Sequence, residues 1–173
     1  GVRQELQNAV LNLEIMPSMR ALMTSGEALK RSNVAGFNCS YLVVDHPRAF
    51  DEAVYILLCG TGVGFSVERQ FISKLPEVPM FAPPLTEDDV PVIQVEDSKE
   101  GWAKIVQELI DHLYRGIVPK IDYSLVRPAG ARLKIFGGRA SGPGPLKELC
   151  DFIIAKFVGA EGRKLESIEC HDI

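Results

Sequence analysis

Several things are scarce in this sequence, and each scarcity excludes a class of protein. Its 173 residues hold no apolar run approaching the roughly 20 residues of a membrane-spanning helix, and the start does not resemble a signal peptide. Basic charge is not in excess. The chain has 19 Lys and Arg against 23 Asp and Glu, a formal net charge of −4. That balance argues against coating nucleic acid or lying on an anionic membrane, although a local basic cluster can still hold a small anion. Cysteine is limited to four positions, 39, 59, 150 and 170, without a Cys-x-x-Cys. A zinc ribbon or thioredoxin-type motif is therefore not expected. Cys170 precedes His171, but adjacent residues seldom chelate one ion, so no metal site is expected. Nothing requires an oxidising compartment, and a cytoplasmic location is expected. Repeats and low-complexity tracts are absent. What remains is 46% hydrophobic and 24% charged, an ordinary globular composition in a chain long enough for one sizeable core.

The apolar pattern alternates between helix and strand. Val2 to Ile15 reads as a helix with Leu6, Val10, Leu11 and Leu13 toward a core. Pro17 stops it, and Pro17-Ser-Met-Arg20 reads as a short strand or turn, followed by a helical turn over Met23–Leu29. Asn38–Val44 is rich in β-formers. Pro47 suits the first turn of a helix reaching about Cys59, with Phe50, Val54, Leu57 and Leu58 on its inner face. The stretch from Lys74 to Pro91 carries five prolines and the acidic run Glu87-Asp-Asp89, the mark of an irregular surface excursion, not a domain boundary. Asp97-Ser98 caps a helix from Lys99 to Tyr114 whose Trp102, Ile105, Val106, Leu109, Ile110 and Leu113 follow helical spacing. A strand over Ile121–Val126, a helix from Pro145 to about Val158 and a last helix from Gly162 onward complete an α/β pattern in a single unit, residues 1–173.

Three places carry candidate chemistry. The first, Arg127 to Pro145, mixes glycine and proline with Arg127, Arg132, Lys134 and Arg139. Glycine lets backbone N–H groups approach an anion and basic side chains neutralise it, so a phosphate cradle competes with a solvated linker. The second is Gly60-Thr-Gly-Val-Gly64. A dinucleotide fingerprint follows a strand and opens a helix, whereas these glycines follow a helix and lead into Phe65-Ser66-Val67. Close packing at a helix-to-strand turn and a tight turn in a larger active-site barrel both fit better. The third is Cys39. On a strand it shares a face with Tyr41, while Asn38 and Ser40 share the other. A buried structural cysteine is the ordinary reading; polar neighbours on both sides suit a redox thiol beside a polar substrate. Cys59 and Cys150 lie in apolar helical runs and read as small core residues.

Six motifs occur in order: Pro17-Ser-Met-Arg20, Asn38-Cys-Ser-Tyr41, Gly62-Val-Gly-Phe-Ser66, Val95-Glu-Asp-Ser-x-x-Gly-Trp102, Arg127-Pro-x-Gly130 and Phe136-Gly-Gly-x-Ala-Ser-Gly-Pro143. Together they resemble the adenosylcobalamin-dependent (class II) ribonucleotide reductases, in particular the ribonucleoside-triphosphate reductases. The resemblance implies the N-terminal part of a ten-stranded α/β barrel that converts ribonucleotides to deoxyribonucleotides by thiyl-radical chemistry. It implies that Cys39 is the first of two redox cysteines, which become a disulfide as the ribose 2′-hydroxyl leaves. Pro17 to Arg20 would form the first barrel strand near the substrate phosphates. Ser18, Asn38 and Ser40 would contact a ribonucleoside tri- or diphosphate. The segment from Arg127 to Pro143 would be a specificity loop, its Arg127, Arg132, Lys134 and Arg139 facing a deoxynucleotide effector.

The resemblance also implies what this sequence lacks. The radical cysteine, normally in an Asn-x-Cys-x-Glu segment, the second redox cysteine and most of the cobalamin site have no counterpart here. The chain is accordingly expected to be inactive alone, as a fragment, a split-gene half or an intein-flanked piece that needs the remainder of the reductase, adenosylcobalamin and a thioredoxin-type reductant. Effector sites of this kind form at a homodimer interface or within an insertion that mimics one. The alternative is a catalytically inactive nucleotide-binding or oligomerisation module.

Overall fold

The computed structural model describes residues 1–83, 86, 89–132 and 138–173. Two β-α-β units form its frame. In the first, β1 (Cys39–Val43), α4 (Arg48–Leu58) and β2 (Gly62–Ser66) follow one another, and the strands pair in parallel with Cys39 opposite Gly62 and Val43 opposite Ser66. In the second, β3 (Val92–Gln94), α6 (Lys99–Leu113) and β4 (Lys120–Asp122) do the same, with Ile93 opposite Ile121. Parallel strands need a crossover, and a helix supplies it in both units. The crossover helices α4 and α6 pack on each other and join the units. Ahead of the frame lie α1 (Val2–Leu11), α2 (Met19–Thr24), α3 (Glu27–Arg31) and a 3₁₀ turn (Asn33–Gly36). The short α5 (Arg69–Ile72) follows β2, and α7 (Gly144–Gly159) and α8 (Ser167–Asp172) come last.

The core centres on α6. Ile105, Val106, Leu109, Ile110 and Leu113 are buried, as the helical spacing predicts, against Leu146, Cys150, Ile153 and Phe157 of α7. The start of α6 explains a sequence motif. Ser98 Oγ accepts the Gly101 N–H at 2.9 Å, capping the helix. A Cβ on Gly101 would lie 2.7 Å from Glu96 Cβ, so the turn closes only over glycine.

The α/β reading holds, with differences at particular places. The first helix buries no residue fully: Val10 is half-buried, whereas Leu6, Leu11 and Leu13 are exposed instead of facing a core. Pro17 to Arg20 does not form a strand. Ser18 Oγ accepts the Ala21 N–H at 3.1 Å and starts α2, a local cap that overrides the extended reading. Leu57 is exposed, because α4 has the core on its Ala49–Phe50 side. The strand expected over Ile121–Val126 ends at Asp122, whose Oδ1 accepts the Ser124 N–H at 2.9 Å and turns the chain. The last helix begins at Ser167, not Gly162. The Pro-rich excursion is irregular among its described residues, but its first limb is pinned down. Val78 N donates to Arg163 O, Gly162 N donates to Val78 O, both at 2.9 Å, and Leu75 and Val78 are buried. The described sheets are two parallel pairs. No described helix is long and apolar enough to cross a membrane.

Candidate functional site

Cys39 opens β1, and the geometry of its strand gives it access. Ser40 and Leu42 turn toward the α4 side, where Leu42 packs on the core and Val44 beyond it is buried. Cys39 and Tyr41 turn the other way, and Tyr41 is 67% exposed. Of the four cysteines, Cys39 is exposed, whereas Cys59, Cys150 and Cys170 are buried. Burial pushes the Cys150 thiol up and the Cys170 thiol up to about 12, away from the reactive thiolate. The ordinary reading of Cys39 as a buried residue thus fails, because the face it points to is uncovered.

That face is kept low by glycine. Gly62 stands opposite Cys39, and Gly64 stands opposite Tyr41. Neither glycine is demanded by the fold. A Cβ at Gly62 would approach nothing closer than Asn38 O at 3.6 Å, and one at Gly64 nothing closer than Ser40 O at 3.7 Å, both ordinary contacts. Glycine in a strand costs stability, so its presence twice beside an exposed thiol calls for a reason other than packing.

Three groups gather at this end of β1. Asn38 O accepts the Gly62 N–H at 3.0 Å, and Ser40 Oγ donates to Gly62 O at 3.1 Å. Arg20 donates through Nη2 to Gly60 O, and the same nitrogen lies 3.5 Å from Asn38 Oδ1. Buried Thr61 holds the preceding turn, its Oγ1 within 2.8 Å of Phe37 O and 3.1 Å of Val34 O. The structure therefore brings Asn38, Cys39 and Ser40 together, with the Ser40 hydroxyl engaged on the strand. The Ser18 hydroxyl is engaged as a helix cap. Arg20 is the side chain at this end of β1 that sequence reasoning did not single out. Its signal was present in Pro17-Ser-Met-Arg20, but the strand reading hid which side chain that motif projects.

The basic Gly-rich segment is a separate place. Its two limbs zip together: Gly130 N donates to Ala140 O at 2.9 Å and Ala140 N to Ala131 O at 2.8 Å. Gly142 must be glycine, because its φ is +76° and a Cβ would lie 2.9 Å from Ala129 N. Arg127 is tied down, with Nε 2.7 Å from Asp97 Oδ2, so it anchors the segment to the cap of α6. Arg132 and Arg139 face each other across an antiparallel bridge, both exposed, with Arg139 Nη1 donating to Gly130 O at 3.1 Å. Like charges directly opposite repel, and an anion between them would relieve the repulsion. Lys134, the fourth basic residue of the segment, lies outside the described residues.

Among the described residues, no cluster of His, Cys, Asp or Glu is placed to hold a metal ion. A groove of about 390 Å³ between α4 and α6 is lined by Arg48, Asp51, Glu52, Glu100 and Lys104, with Tyr55 at its side. Ile56 and Ala103 also line it, so this open groove mixes charged and apolar side chains.

Comparison with known proteins gives a consistent set of likenesses. The family described as "B12-dependent ribonucleotide reductase, insertion domain" matches residues 81–155, which include the zipped basic segment. The adenosylcobalamin-dependent ribonucleoside-triphosphate reductase of Euglena gracilis is 28% identical, the alignment covering 96% of this chain and 23% of that protein. The reductase of the same name from Lactobacillus helveticus is 27% identical over 98% of this chain and 30% of its own length. A crystal structure of a B-12 dependent (class II) ribonucleotide reductase shares the fold with a TM-score of 0.87 at 23% identity, covering 98% of this chain and 31% of that one. The chain thus spans between a fifth and a third of the length of these proteins.

Proposed function

The chain is a relative of the adenosylcobalamin-dependent (class II) ribonucleotide reductases, and on that premise we propose that it forms the part of a ribonucleoside-triphosphate reductase barrel that carries the first redox thiol and an effector loop. One observation carries the reading: the exposed cysteine lies on a strand face cleared by two glycines that the fold does not require. Such a face admits both a substrate and a second thiol from elsewhere in the enzyme.

The chemistry assigned to it balances with two thiols. The ribose C2′–O bond breaks, the hydroxyl leaves as water with the hydrogen of one thiol, and a C2′–H bond forms with the hydrogen of the other. Two electrons come from Cys39 and its partner thiol, which close to a disulfide, and an external dithiol of the thioredoxin type restores the pair. The partner thiol and the radical cysteine lie on other segments, because Cys59, Cys150 and Cys170 are buried. The relatives are named adenosylcobalamin-dependent, and in the complete enzyme that cofactor would supply the radical from a site lying mostly outside this chain.

Asn38 supplies polar contacts to the substrate beside the thiol. Ser18 and Ser40 contribute through the segments that they cap and brace. Arg132 and Arg139 meet the phosphates of a deoxynucleotide effector, a role that Lys134 shares by its place in the sequence alone, and Arg127 holds the loop in place through Asp97. The match of the insertion-domain family over this loop supports the reading.

The test is Cys39→Ser in the complete reductase polypeptide. Turnover with a dithiol reductant should be lost, while deoxynucleotide binding is unchanged. Turnover that survives with that reductant would remove Cys39 from the chemistry. Deoxynucleotide binding in an unsubstituted polypeptide that forms no deoxynucleotide product would favour the module reading, in which the chain binds nucleotide without catalysis.

A further inference from the structure

We propose that Arg20 is a positioning residue that sets the direction of the Asn38 amide beside Cys39, so that the Asn38 NH₂ group donates to the bound ribonucleotide. The proposal rests on the reductase reading and adds to it a residue that acts through another. Arg20 is well placed for this. Its backbone carbonyl accepts the hydroxyl of Thr24 at 2.7 Å, and Thr24 is buried, so the base of the side chain is fixed. Its guanidinium is seated on Gly60 O. Gly60 provides that seat: its φ is +79°, and a Cβ there would lie 3.2 Å from Arg20 Nη1.

The decisive point is chemical. A guanidinium has donors and no acceptor, so the group that Asn38 turns toward it must be the carbonyl, Oδ1, here at 3.5 Å from Nη2. The amide nitrogen then points the other way, carrying two N–H donors. The Asn38 backbone is held, because its carbonyl accepts the Gly62 N–H at 3.0 Å, so rotation of the side-chain amide is the freedom left to it. Without Arg20 the amide can flip and present its oxygen, which repels a substrate oxygen instead of donating to it. Arg20 Nε and Nη1 have no partner among the described residues. The positive charge therefore also favours an anionic ligand over the face.

The test is a double-mutant cycle in the complete reductase polypeptide, with Arg20→Met, Asn38→Ala and both together. Ribonucleoside-triphosphate binding is measured by equilibrium dialysis without cobalamin, and KM and kcat with it. Each single change should weaken binding and raise KM about tenfold, the size expected for a lost hydrogen bond to a polar substrate, with kcat changed less. In the Asn38→Ala background, Arg20→Met should add less than about twofold. Arg20→Lys keeps the charge and one donor for Gly60 but lacks the fork, and should recover only part of the affinity. The proposal is overturned if the two single effects multiply, if Arg20→Lys binds like the unsubstituted protein, or if kcat falls with binding untouched. If the unsubstituted polypeptide binds no ribonucleotide, the reductase reading fails first, and that outcome is distinct from multiplying effects in a protein that binds.

Discussion

The two β-α-β units have the same topology and opposite surfaces. In the second, Ile93 and Val95 are buried and the crossover helix α6 presents five fully covered aliphatic side chains. In the first, Cys39, Tyr41 and Phe65 are exposed and glycine occupies two of the five positions of β2. One unit anchors the fold, and the other holds a reactive group in the open. The contrast shows how parallel strand pairs of one design separate stability from access: the crossover helices share the burden of the core, so a strand face can be left bare.

Substitutions can break this comparison, and they rank by size. Leu109→Ala in α6 removes a fully buried side chain and should cost about 2–5 kcal/mol in denaturant unfolding, with nucleotide affinity of the remaining folded protein unchanged. A loss below about 1 kcal/mol would deny the second unit its anchoring role. Gly62→Ala should do the reverse. It should leave stability equal or raise it by about 0.5–1 kcal/mol, since the strand tolerates a Cβ, yet lower kcat/KM at least about tenfold by filling the space opposite Cys39. Unchanged kcat/KM would mean that the bare face serves no approach to the thiol.

The basic Gly-rich segment sharpens the comparison, since it lies after the second unit and on the proposed reading should affect regulation alone. Arg139→Glu should weaken deoxynucleotide binding several-fold at low salt, and less as salt rises, while leaving turnover at saturating substrate intact. Equal loss at high and low salt would point to a collapsed loop instead of a lost charge.

The smallest effect concerns α8. Arg163 grips the Glu169 carboxylate at 2.7 Å through both terminal nitrogens and holds its pKa down to about 2, from an ordinary 4.5. A depressed carboxylate stabilises the fold above its ordinary pKa and loses that contribution as pH falls through 4.5 toward 2. Hydrogen exchange corrected for intrinsic rates should therefore show α8 opening across that window, while α6 stays protected. Coincident opening of both helices would contradict a local grip.

Legibility in the sequence follows the physics of each element. The helix over 99–113 was readable because six turn-spaced apolar residues and a serine cap agree, and Cys39–Val43 because β-formers run together. The first helix misled because its apolar stripe has no partner within this chain's described residues. At Ser18 a single cap hydrogen bond decided between strand and helix, which composition does not record. The site was half legible. Cys39 and its polar neighbours stood out as residue types, but the two glycines acquired meaning only through strand register, and Arg20 only through a contact 18 residues away in sequence. Arg127 shows a different limit: basic charge in a Gly-rich segment suggested a ligand contact, and only the fold reveals its ion pair with Asp97, 30 residues earlier.

The central claim is that Cys39 is the thiol oxidised when substrate is reduced. The direct measurement is a single turnover of the complete, prereduced enzyme without external reductant, followed by alkylation under denaturing conditions and peptide mass mapping. Cys39 should be recovered in a disulfide in proportion to deoxynucleotide formed, with Cys59, Cys150 and Cys170 alkylated. Deoxynucleotide formed while Cys39 remains fully alkylated would contradict the account.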